Sequence, residues 1–389
     1  MKGLLLEAEW KVRRGYELAK RERETRRALN GNNIWRNPKL EIQEVPVPKI
    51  DLDEVLIRVK ACGICGSDLH MYEVDSDGYI LFPGHSKFPC IIGHEFAGQI
   101  EEVGKKVKNL KAGDMVTAEE MNWCGECLPC RAGMVNQCED LEEIGFTING
   151  AFAEYVAVKA KYCCRIDGLV DTYGDREKAY EAGALVEPTS VTYNGMFTRA
   201  GGFRPGGNLV IFGAGPIGLA ATALARAAGA AKVIVFEITP SRIDLAKKMG
   251  ADKVYNPKEL EQQEIRPHEV VLEDTEGVGA AMLVEAAGAC SQTVPEMEKA
   301  MAIGGKIVQI GMVAGKTPMN LLAFQVKGAH FHGSIGHSGH DNFPSVIRLM
   351  TAGRIDMTKA VTNRFPLDEA GGAIAQSASL NEGKVLVRP

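Results

Sequence analysis

The feature that most constrains the fold is a glycine-rich turn between an apolar strand and an apolar helix. A strand predicted over 208–212 runs into the pattern G-x-G-x-x-G at Gly213, Gly215 and Gly218, and a helix is predicted over 216–228. In a nucleotide-binding βαβ unit, the first glycine permits the tight turn, the second lets the backbone approach a pyrophosphate, and the third lets the helix pack on the sheet. The pattern therefore predicts a dinucleotide-binding parallel sheet.

The rest of the chain divides into two kinds of pattern. Residues 39–165 contain short β-rich runs broken by Gly, Pro and Asp, which predicts an all-β region. After residue 207, apolar strands alternate with alanine-rich helices, with strands predicted at 232–237, 281–286 and 306–310. Such alternation is typical of βαβ units in a doubly wound α/β domain. Because 389 residues exceed one ordinary core, we expect two domains.

A carboxylate follows the glycine turn at the position that selects the cofactor. Glu237 lies 19 residues after Gly218, at the end of the next predicted strand. It would accept hydrogen bonds from the adenosine ribose hydroxyls and repel a 2′-phosphate, which favours NAD over NADP. Arg242 lies one turn further on and could instead pair with that phosphate. Pro216 and Ile217 complete the predicted cofactor-binding turn, since proline suits a first helical position.

Four cysteines, Cys124, Cys127, Cys130 and Cys138, keep the spacing C-x2-C-x2-C-x7-C. Four thiolates this close can surround one zinc ion tetrahedrally, in a closed structural site. The alternatives are a reduced, metal-free loop or two disulfides. Ten cysteines without a recognisable export segment favour a reducing, cytoplasmic location.

A second set of metal-ligating residue types lies upstream. Cys65 is followed by Gly93-His94-Glu95 after 28 residues, and Glu187 lies just before the βαβ region. Thiolate, imidazole and carboxylate are ligands of catalytic zinc, which keeps one position open for water or substrate. Taken singly, each has an ordinary explanation, as a small core cysteine, a hydrogen-bonded histidine or a surface acid.

Six motifs in this order resemble the zinc-dependent medium-chain dehydrogenases, the family of alcohol, sorbitol and threonine dehydrogenases. They are Gly-Ile-Cys-Gly-Ser-Asp at 63–68, Gly93-His94-Glu95, the four-cysteine lobe, Glu187-Pro188, the fingerprint at 213–218, and Gly383-Lys384-Val385. The resemblance implies a GroES-like β-barrel catalytic domain and a Rossmann NAD-binding domain, with the substrate cleft between them. It places the catalytic domain at 1–190 and 334–389, with a structural zinc lobe at about 119–140, and the Rossmann domain at 191–333.

The same resemblance assigns roles to residues. Cys65, His94 and Glu95 match the catalytic zinc ligands, and Glu187 matches an acid beside the metal. One thiolate and two carboxylates would leave zinc with net negative charge and poor Lewis acidity. We therefore expect Glu95 and Glu187 to exchange at the metal or to act through water.

The resemblance also implies a route for the proton of the substrate hydroxyl. Zinc would acidify that hydroxyl and nicotinamide would receive the hydride. Ser67, two residues after Cys65, is placed to accept the proton. His70 matches the histidine that continues the path beyond the nicotinamide ribose, although an ordinary surface histidine is the alternative.

Two long segments bear on the substrate. The segments 10–35 and 70–94 are additional or extended relative to shorter family members, and the second carries Asp75, Asp77 and Tyr79. A polar cleft rim suits a polyhydroxylated ligand, whose hydroxyls need partners. These features most resemble the scyllo-inosose dehydrogenases of inositol breakdown. The alternatives are an acyclic polyol (sorbitol-type) or threonine-type dehydrogenase and, in another class, a zinc-free nucleotide-binding relative with a structural or reductase role.

Charge and hydropathy limit the partners. A net charge of −5 leaves no basic footprint for nucleic acid. The longest apolar stretch, 209–225, is interrupted by Gly and Pro, so no membrane segment is expected. The resemblance implies a homodimer or homotetramer joined through the Rossmann sheets. A histidine-rich run at 330–340 could reach substrate or a subunit interface, or form a surface loop.

Overall fold

A computed structural model describes residues 1–313 and 315–389. The chain forms two compact units: the first contains Met1–Glu187, Asn363–Ser379 and Val385–Pro389, and the second contains Pro188–Thr362 and Leu380–Lys384. This division groups residues 334–362 with the second unit. The family-based domain boundaries at 190/191 and 333/334 remain predictions. Among the described residues, no helix combines the length and apolar character needed to cross a membrane.

Within residues 39–165, predicted to be all-β, most of the regular structure is β, although two short α-helices interrupt it. Up to residue 185 the strands are β1 (Lys2–Trp10), β2 (Trp35–Glu44), β3 (Glu54–Gly63), β4 (Cys90–Ile91), β5 (Glu95–Val103), β6 (Met115–Ala118), β7 (Met121–Asn122), β8 (Glu142–Glu143), β9 (Tyr155–Lys159) and β10 (Cys163–Arg165). The α-helices are α1 (Lys20–Thr25), α2 (Gly66–Tyr72), α3 (Leu128–Arg131), α4 (Gly168–Tyr173) and α5 (Arg176–Ala184).

From residue 186 onward, strands and helices alternate. The helices are α6 (Val186–Tyr193), α7 (Pro216–Ala227), α8 (Pro240–Lys248), α9 (Pro257–Gln262), α10 (Pro267–Asp274), α11 (Cys290–Ala300), α12 (Leu321–Lys327), α13 (Asn342–Thr351) and α14 (Ala370–Ala378). The strands are β11 (Asn208–Phe212), β12 (Lys232–Phe236), β13 (Lys253–Tyr255), β14 (Ala280–Glu285), β15 (Met301–Gln309), β16 (His330–Gly333), β17 (Val361–Pro366) and β18 (Lys384–Arg388). A π-helical turn, Asn194–Arg199, follows α6.

The main sheet of the first unit is built around β3. Its strand order is β10-β6-β5-β3-β18-β17, with β9 also paired to β3. Strand β3 runs antiparallel to β5, β9 and β18, and its register places Gly63 opposite Glu95. Large buried side chains, among them Ile57, Phe96 and Phe152, fill the core of this unit. The antiparallel pairing brings the end of β3 beside the start of β5, where the candidate metal ligands lie.

The second unit contains a six-stranded parallel sheet in the order β13-β12-β11-β14-β15-β16. Its central strands are almost continuously buried and apolar, as in β11 and β12, because helices cover both faces of a parallel sheet. Phe212 and Phe236 stack in its core with ring centroids 4.7 Å apart. The strand order reverses between β11 and β14, and ligands bind at such a point in open α/β sheets. The predicted doubly wound sheet is confirmed.

The additional amino-terminal segment packs within the first unit. Trp35 contacts Trp10 and Phe88 at centroid distances of 5.0 and 5.1 Å, and its indole N–H donates to the Ser86 carbonyl at 3.2 Å. The Arg13 guanidinium lies 4.1 Å from the centre of the Tyr79 ring. The segment therefore packs against 79–88, a part of the extended stretch between His70 and His94.

Candidate functional site

The structure brings Cys65, His94 and Glu95 together in the first unit. One ligand atom from each lies within 4.8 Å of the others. Cys65 precedes α2 and is half-buried, whereas His94 and Glu95 are buried at the start of β5. A thiolate, an imidazole and a carboxylate at this spacing fit one zinc ion with three protein ligands.

Glycine is required at position 63 for Glu95 to enter this cluster. Gly63 and Glu95 are direct partners across the β3–β5 pair. A Cβ atom at Gly63 would lie 2.0 Å from Oε2 of Glu95, far inside van der Waals contact. The absence of a side chain on β3 therefore creates the space that the carboxylate occupies.

Asp68 orients two members of the cluster and was not among the predicted site residues. Its Oδ2 accepts the backbone N–H of Cys65 at 2.9 Å, and its Oδ1 lies 3.5 Å from Nδ1 of His94. Burial lowers the pKa of His94, but the charge of the Asp68 carboxylate, joined by Cys65, raises it well above its usual value. With Nδ1 facing a carboxylate, Nε2 is the nitrogen left for an ion.

A signal for Asp68 was present in the sequence. It stands three residues after Cys65, at the position where an acid caps the first turn of a helix. Its approach to His94 depends on the fold, because 25 residues separate the two in the chain.

The two predicted proton-transfer residues have different surroundings. Ser67 is half-buried, and its Oγ lies 3.5 Å from Nε2 of His94. His70 is more exposed, with 42% of its side chain accessible, and its Nδ1 lies 3.2 Å from Oε2 of Glu73. Ser67 therefore lies beside the candidate metal cluster, while His70 interacts with a neighbouring acid.

Glu187 belongs to a different set of acidic groups. It is buried, and its carboxylate lies within 4.8 Å of the carboxylate of Glu120, which is also buried. Glu120 follows β6, and its carbonyl accepts the backbone N–H of Ile144 at 3.0 Å. Two buried carboxylates this close offer oxygen ligands that a cation can share. Glu120 was missed because no motif in the sequence points to it.

The four cysteines of the lobe also converge. Their sulfur atoms lie within 4.8 Å of one another, with Cys124 and Cys130 4.0 Å apart and Cys127 and Cys138 3.8 Å apart. None of the ten cysteines, all within the described residues, is joined in a disulfide in this structure. Four convergent sulfurs fit a closed zinc site.

Backbone amides favour a thiolate at Cys124, whereas burial raises the pKa of Cys130 and Cys138. The sulfur of Cys124 accepts the N–H groups of Glu126 and Cys127 at 3.3 and 3.4 Å, and these bonds lower its pKa to about 6. The sulfur of Cys138 accepts the N–H of Asp140 at 3.3 Å. Burial raises the pKa of Cys130 to about 12. A bound cation would hold all four as thiolates, since it removes their protons outright.

In the second unit, the predicted fingerprint forms the expected turn. Gly213 has φ of 93°, a left-handed conformation, and a Cβ at Gly218 would lie 1.8 Å from the Gly213 carbonyl oxygen. Pro216 is the first residue of α7, and the carbonyl of Ile217 accepts the hydroxyl of Thr192 at 3.4 Å. Gly215 directly precedes the helix and has extended backbone.

Glu237 connects the next strand to this turn. Its Oε2 accepts the N–H of Ala214 at 2.7 Å, and its Oε1 accepts those of Ile238 and Thr239 at 2.7 and 2.8 Å. The carboxylate is thereby fixed beside the fingerprint, where a ribose diol would lie. Arg242 is held by a hydrogen bond from Nε to the Glu382 carbonyl at 2.8 Å. Burial lowers its pKa, an effect that Glu237 and Glu382 oppose.

Comparisons with known proteins find dehydrogenase relatives along most of the chain. A model of the alcohol dehydrogenase GroES-like domain matches residues 51–168, and one of a zinc-binding dehydrogenase matches 216–352. The scyllo-inosose 3-dehydrogenase of Thermotoga maritima is 44% identical over 381 residues, covering 95% of this chain and 94% of that protein.

Solved structures extend the likeness to the whole fold. One, described provisionally as an alcohol dehydrogenase from Thermotoga maritima, has a TM-score of 0.95 and 42% identity, covering 100% of both chains. Another, described provisionally as a zinc-binding dehydrogenase from Sinorhizobium meliloti 1021 bound to NADP, has a TM-score of 0.78 and 28% identity. It covers 93% of this chain and 98% of that one. The predicted combination of a GroES-like and a Rossmann domain is confirmed.

Proposed function

We propose that this chain, a member of the zinc-dependent medium-chain dehydrogenase family, oxidises a secondary hydroxyl of a cyclitol to a ketone. The proposed substrate is scyllo-inosose or a similar cyclitol, and NAD is the proposed acceptor of the hydride. The chain is an alcohol or polyol dehydrogenase of that family, with a scyllo-inosose 3-dehydrogenase at 44% identity over 95% of its length. That near full-length identity is the observation that carries the substrate proposal.

The residues for two zinc ions are present. Cys65, His94 and Glu95 would hold the catalytic ion, and the four lobe cysteines would hold the structural ion. When bound, the catalytic ion supplies Lewis acidity to the substrate hydroxyl, and the nicotinamide accepts the hydride. From the family resemblance we propose that Glu187, whose carboxylate lies near that of Glu120, acts through water or by exchange with Glu95.

The chain's own side chains orient the reactants and remove the proton. Asp68 fixes the ring of His94 and the backbone of Cys65, so both ligands keep one geometry. Ser67 is the proposed proton acceptor because its hydroxyl lies beside His94. His70, half-exposed and paired with Glu73, is the proposed group that passes the proton to water.

The polar segment predicted to line the cleft supports a cyclitol substrate less strongly than the 44% identity to a scyllo-inosose 3-dehydrogenase does. Asp75 is paired with Arg13, and the Tyr79 ring lies under the Arg13 guanidinium. Asp75 also accepts the backbone N–H groups of Asp77 and Tyr79 at 2.9 and 3.0 Å. These groups hold the additional amino-terminal segment in place, so the hydroxyl partners of a cyclitol must come largely from other residues.

NAD is the proposed cofactor because Glu237 is fixed beside the fingerprint by three backbone amides. A carboxylate there binds a ribose diol and repels a 2′-phosphate. The Sinorhizobium meliloti structure was solved bound to NADP, so the preference of this chain for NAD over NADP has to be measured.

We further propose that the protein is a cytoplasmic homo-oligomer joined through its Rossmann units. Strand β16 lies at one end of the six-stranded sheet, and an edge strand presents unpaired backbone groups to a second copy. Helix α12, which precedes it, exposes Leu321, Leu322 and Val326 by 73%, 62% and 76%. Sedimentation or light scattering of the purified protein would give the number of copies.

The function is tested by following NADH formation with inositols, inososes, hexitols, threonine and simple alcohols. We expect a cyclitol ketone, or failing that a hexitol, to be oxidised at least about a hundredfold more efficiently than ethanol, because each unpaired polar group costs roughly 1–3 kcal/mol. Cys65→Ser is the control for background turnover. Preference for short or aromatic alcohols would contradict the polyol proposal, and preference for threonine would favour the threonine-type alternative. If metal analysis found only one zinc ion per chain, the alternative of a nucleotide-binding relative without catalytic zinc would be favoured.

A further inference from the structure

Glu285 is a completely buried acid at the carboxyl end of β14, in the middle of the parallel sheet. The strand register places it between Phe212 at the end of β11 and Gln309 at the end of β15. A buried carboxylate is costly unless it is hydrogen-bonded. No sequence motif and no step of the proposed reaction accounts for an acid at this position.

The carboxylate of Glu285 collects donors from the loop that follows it. Its Oε1 accepts the N–H groups of Ala287 and Ala289 at 3.3 and 3.2 Å and the hydroxyl of Thr293 at 3.3 Å. Its Oε2 accepts the N–H of Gly288 at 3.2 Å. These donors surround the start of α11, where a negative charge also interacts favourably with the helix dipole. The side chain thus fixes the conformation of 286–289.

The backbone of Glu285 fixes a second loop. Its carbonyl accepts the N–H groups of Ile310 and Gly311 at 3.0 and 2.9 Å. A Cβ at Gly311 would lie 2.5 Å from Oε2 of Glu285 and 2.6 Å from the nitrogen of Gly288. The loops after β14 and β15 are therefore packed closely around one carboxylate.

The loop after β14 also contacts the fingerprint turn. A Cβ at Gly213 would lie 2.9 Å from both Cα and N of Ala287. The N–H of Ala286 donates to the Phe212 carbonyl at 2.9 Å. Glu285 thus connects three loops at the carboxyl edge of the sheet, the edge at which dinucleotides bind in this strand order.

We propose that Glu285 is a positioning residue for the nicotinamide half of the bound dinucleotide, an inference that rests on the proposed NAD binding. Glu237, at the end of β12, lies in the half of the sheet that takes the adenosine. Strands β14, β15 and β16 form the other mononucleotide-binding half. Glu285 sets the position of the two loops of that half through its carboxylate and carbonyl, and it meets the fingerprint turn less directly, through the backbone of residues 286–287.

The test compares binding of NADH with binding of ADP-ribose, which lacks the nicotinamide. In Glu285→Gln, an amide NH2 replaces one acceptor oxygen and faces backbone N–H donors, so the loops must move. We expect the Kd of NADH to rise at least about tenfold and the Kd of ADP-ribose to rise by a clearly smaller factor, because ADP-ribose lacks the nicotinamide but keeps the pyrophosphate beside the fingerprint turn. Equal weakening of both ligands, or no weakening of NADH, would overturn the proposal. Failure of the wild type to bind either ligand would instead refute the proposed dinucleotide binding.

Two further variants separate positioning from stability. Glu296→Gln changes another buried acid of the same unit, paired with Arg266 and His268. It should lower the unfolding temperature and leave the ratio of the two Kd values unchanged. Thr293→Val removes one neutral donor to Glu285 and keeps the carboxylate, so it should shift the ratio in the same direction by a smaller factor. If Glu285→Gln does not fold, an unchanged ratio in Thr293→Val would overturn the proposal.

Discussion

Oδ1 of Asp68 lies 3.5 Å from Nδ1 of His94, and both side chains are buried. The other carboxylate oxygen of Asp68 accepts the backbone N–H of Cys65. One acid therefore orients two of the three side chains that would hold the catalytic metal. Such carboxylate–histidine pairs fix the imidazole tautomer and raise its basicity as a ligand.

We predict that Asp68→Asn lowers the affinity of the catalytic site for zinc by roughly 10- to 100-fold, because the variant loses the charge that orients His94. Zinc loss during titration with a chelator, followed alongside loss of activity, measures this affinity. The four-cysteine site provides the internal control and should release its zinc as in the wild type. An unchanged catalytic-site affinity would show that Asp68 acts only as a helix cap.

Gly63→Ala should displace Glu95, since the new Cβ would lie 2.0 Å from its Oε2. We expect a loss of about 1–3 kcal/mol in the free energy of unfolding, the usual cost of overpacking a core, together with reduced zinc content. Urea unfolding and metal analysis measure the two effects. Gly66→Ala is the matched control, because a Cβ there meets nothing within 4 Å. Similar losses in both variants would contradict the prediction.

The two cysteine sites should respond in opposite ways to mutation. Cys65→Ser should abolish turnover and leave one zinc and the fold intact, because only the catalytic site keeps an open position. Cys127→Ser should instead lower the unfolding temperature, because closed zinc sites contribute to folding. Metal content, turnover and thermal unfolding are measured on both variants. Full activity in Cys65→Ser would refute the proposed metal-dependent chemistry.

Glu237→Ala should narrow the preference for NAD over NADP. The variant loses the acceptor for the ribose diol and the repulsion of a 2′-phosphate. It also leaves the N–H groups of Ala214, Ile238 and Thr239 without their acceptor, so some stability is lost as well. The ratio of kcat/KM values for the two cofactors separates selectivity from stability. A wild-type enzyme that is equally efficient with NADP would show that Arg242 decides the preference.

Glu181 should make the stability of the first unit depend on acid pH. Burial raises its pKa, but hydrogen bonds and charge from Arg364 and Arg388 outweigh burial and hold the pKa below its usual range. A carboxyl with a lowered folded pKa contributes stability above its unfolded pKa of about 4.3, and this contribution is lost as pH falls through the folded pKa. We expect Glu181→Gln to reduce the fall in unfolding temperature below about pH 5. Parallel curves for wild type and variant would contradict this.

Local patterns in the sequence were enough to predict the nucleotide-binding turn. The strand predicted at 208–212 has the observed bounds, and the helix predicted at 216–228 ends one residue early. The lobe cysteines were equally predictable, because ligands within 15 residues converge in almost any compact loop. These features depend on neighbours close in the chain, where residue type and spacing determine the geometry.

Contacts between distant segments depended on the tertiary structure. The register of β3 against β5 places Gly63 opposite Glu95, and the packing of α2 brings Asp68 to His94. Glu285 acquires its role only because β14 lies between β11 and β15. Strand order and register arise from the packing of the whole core. Local patterns along the sequence therefore do not predict either of them. The sequence by itself therefore determined which chemical groups are available, and the fold decided which of them meet.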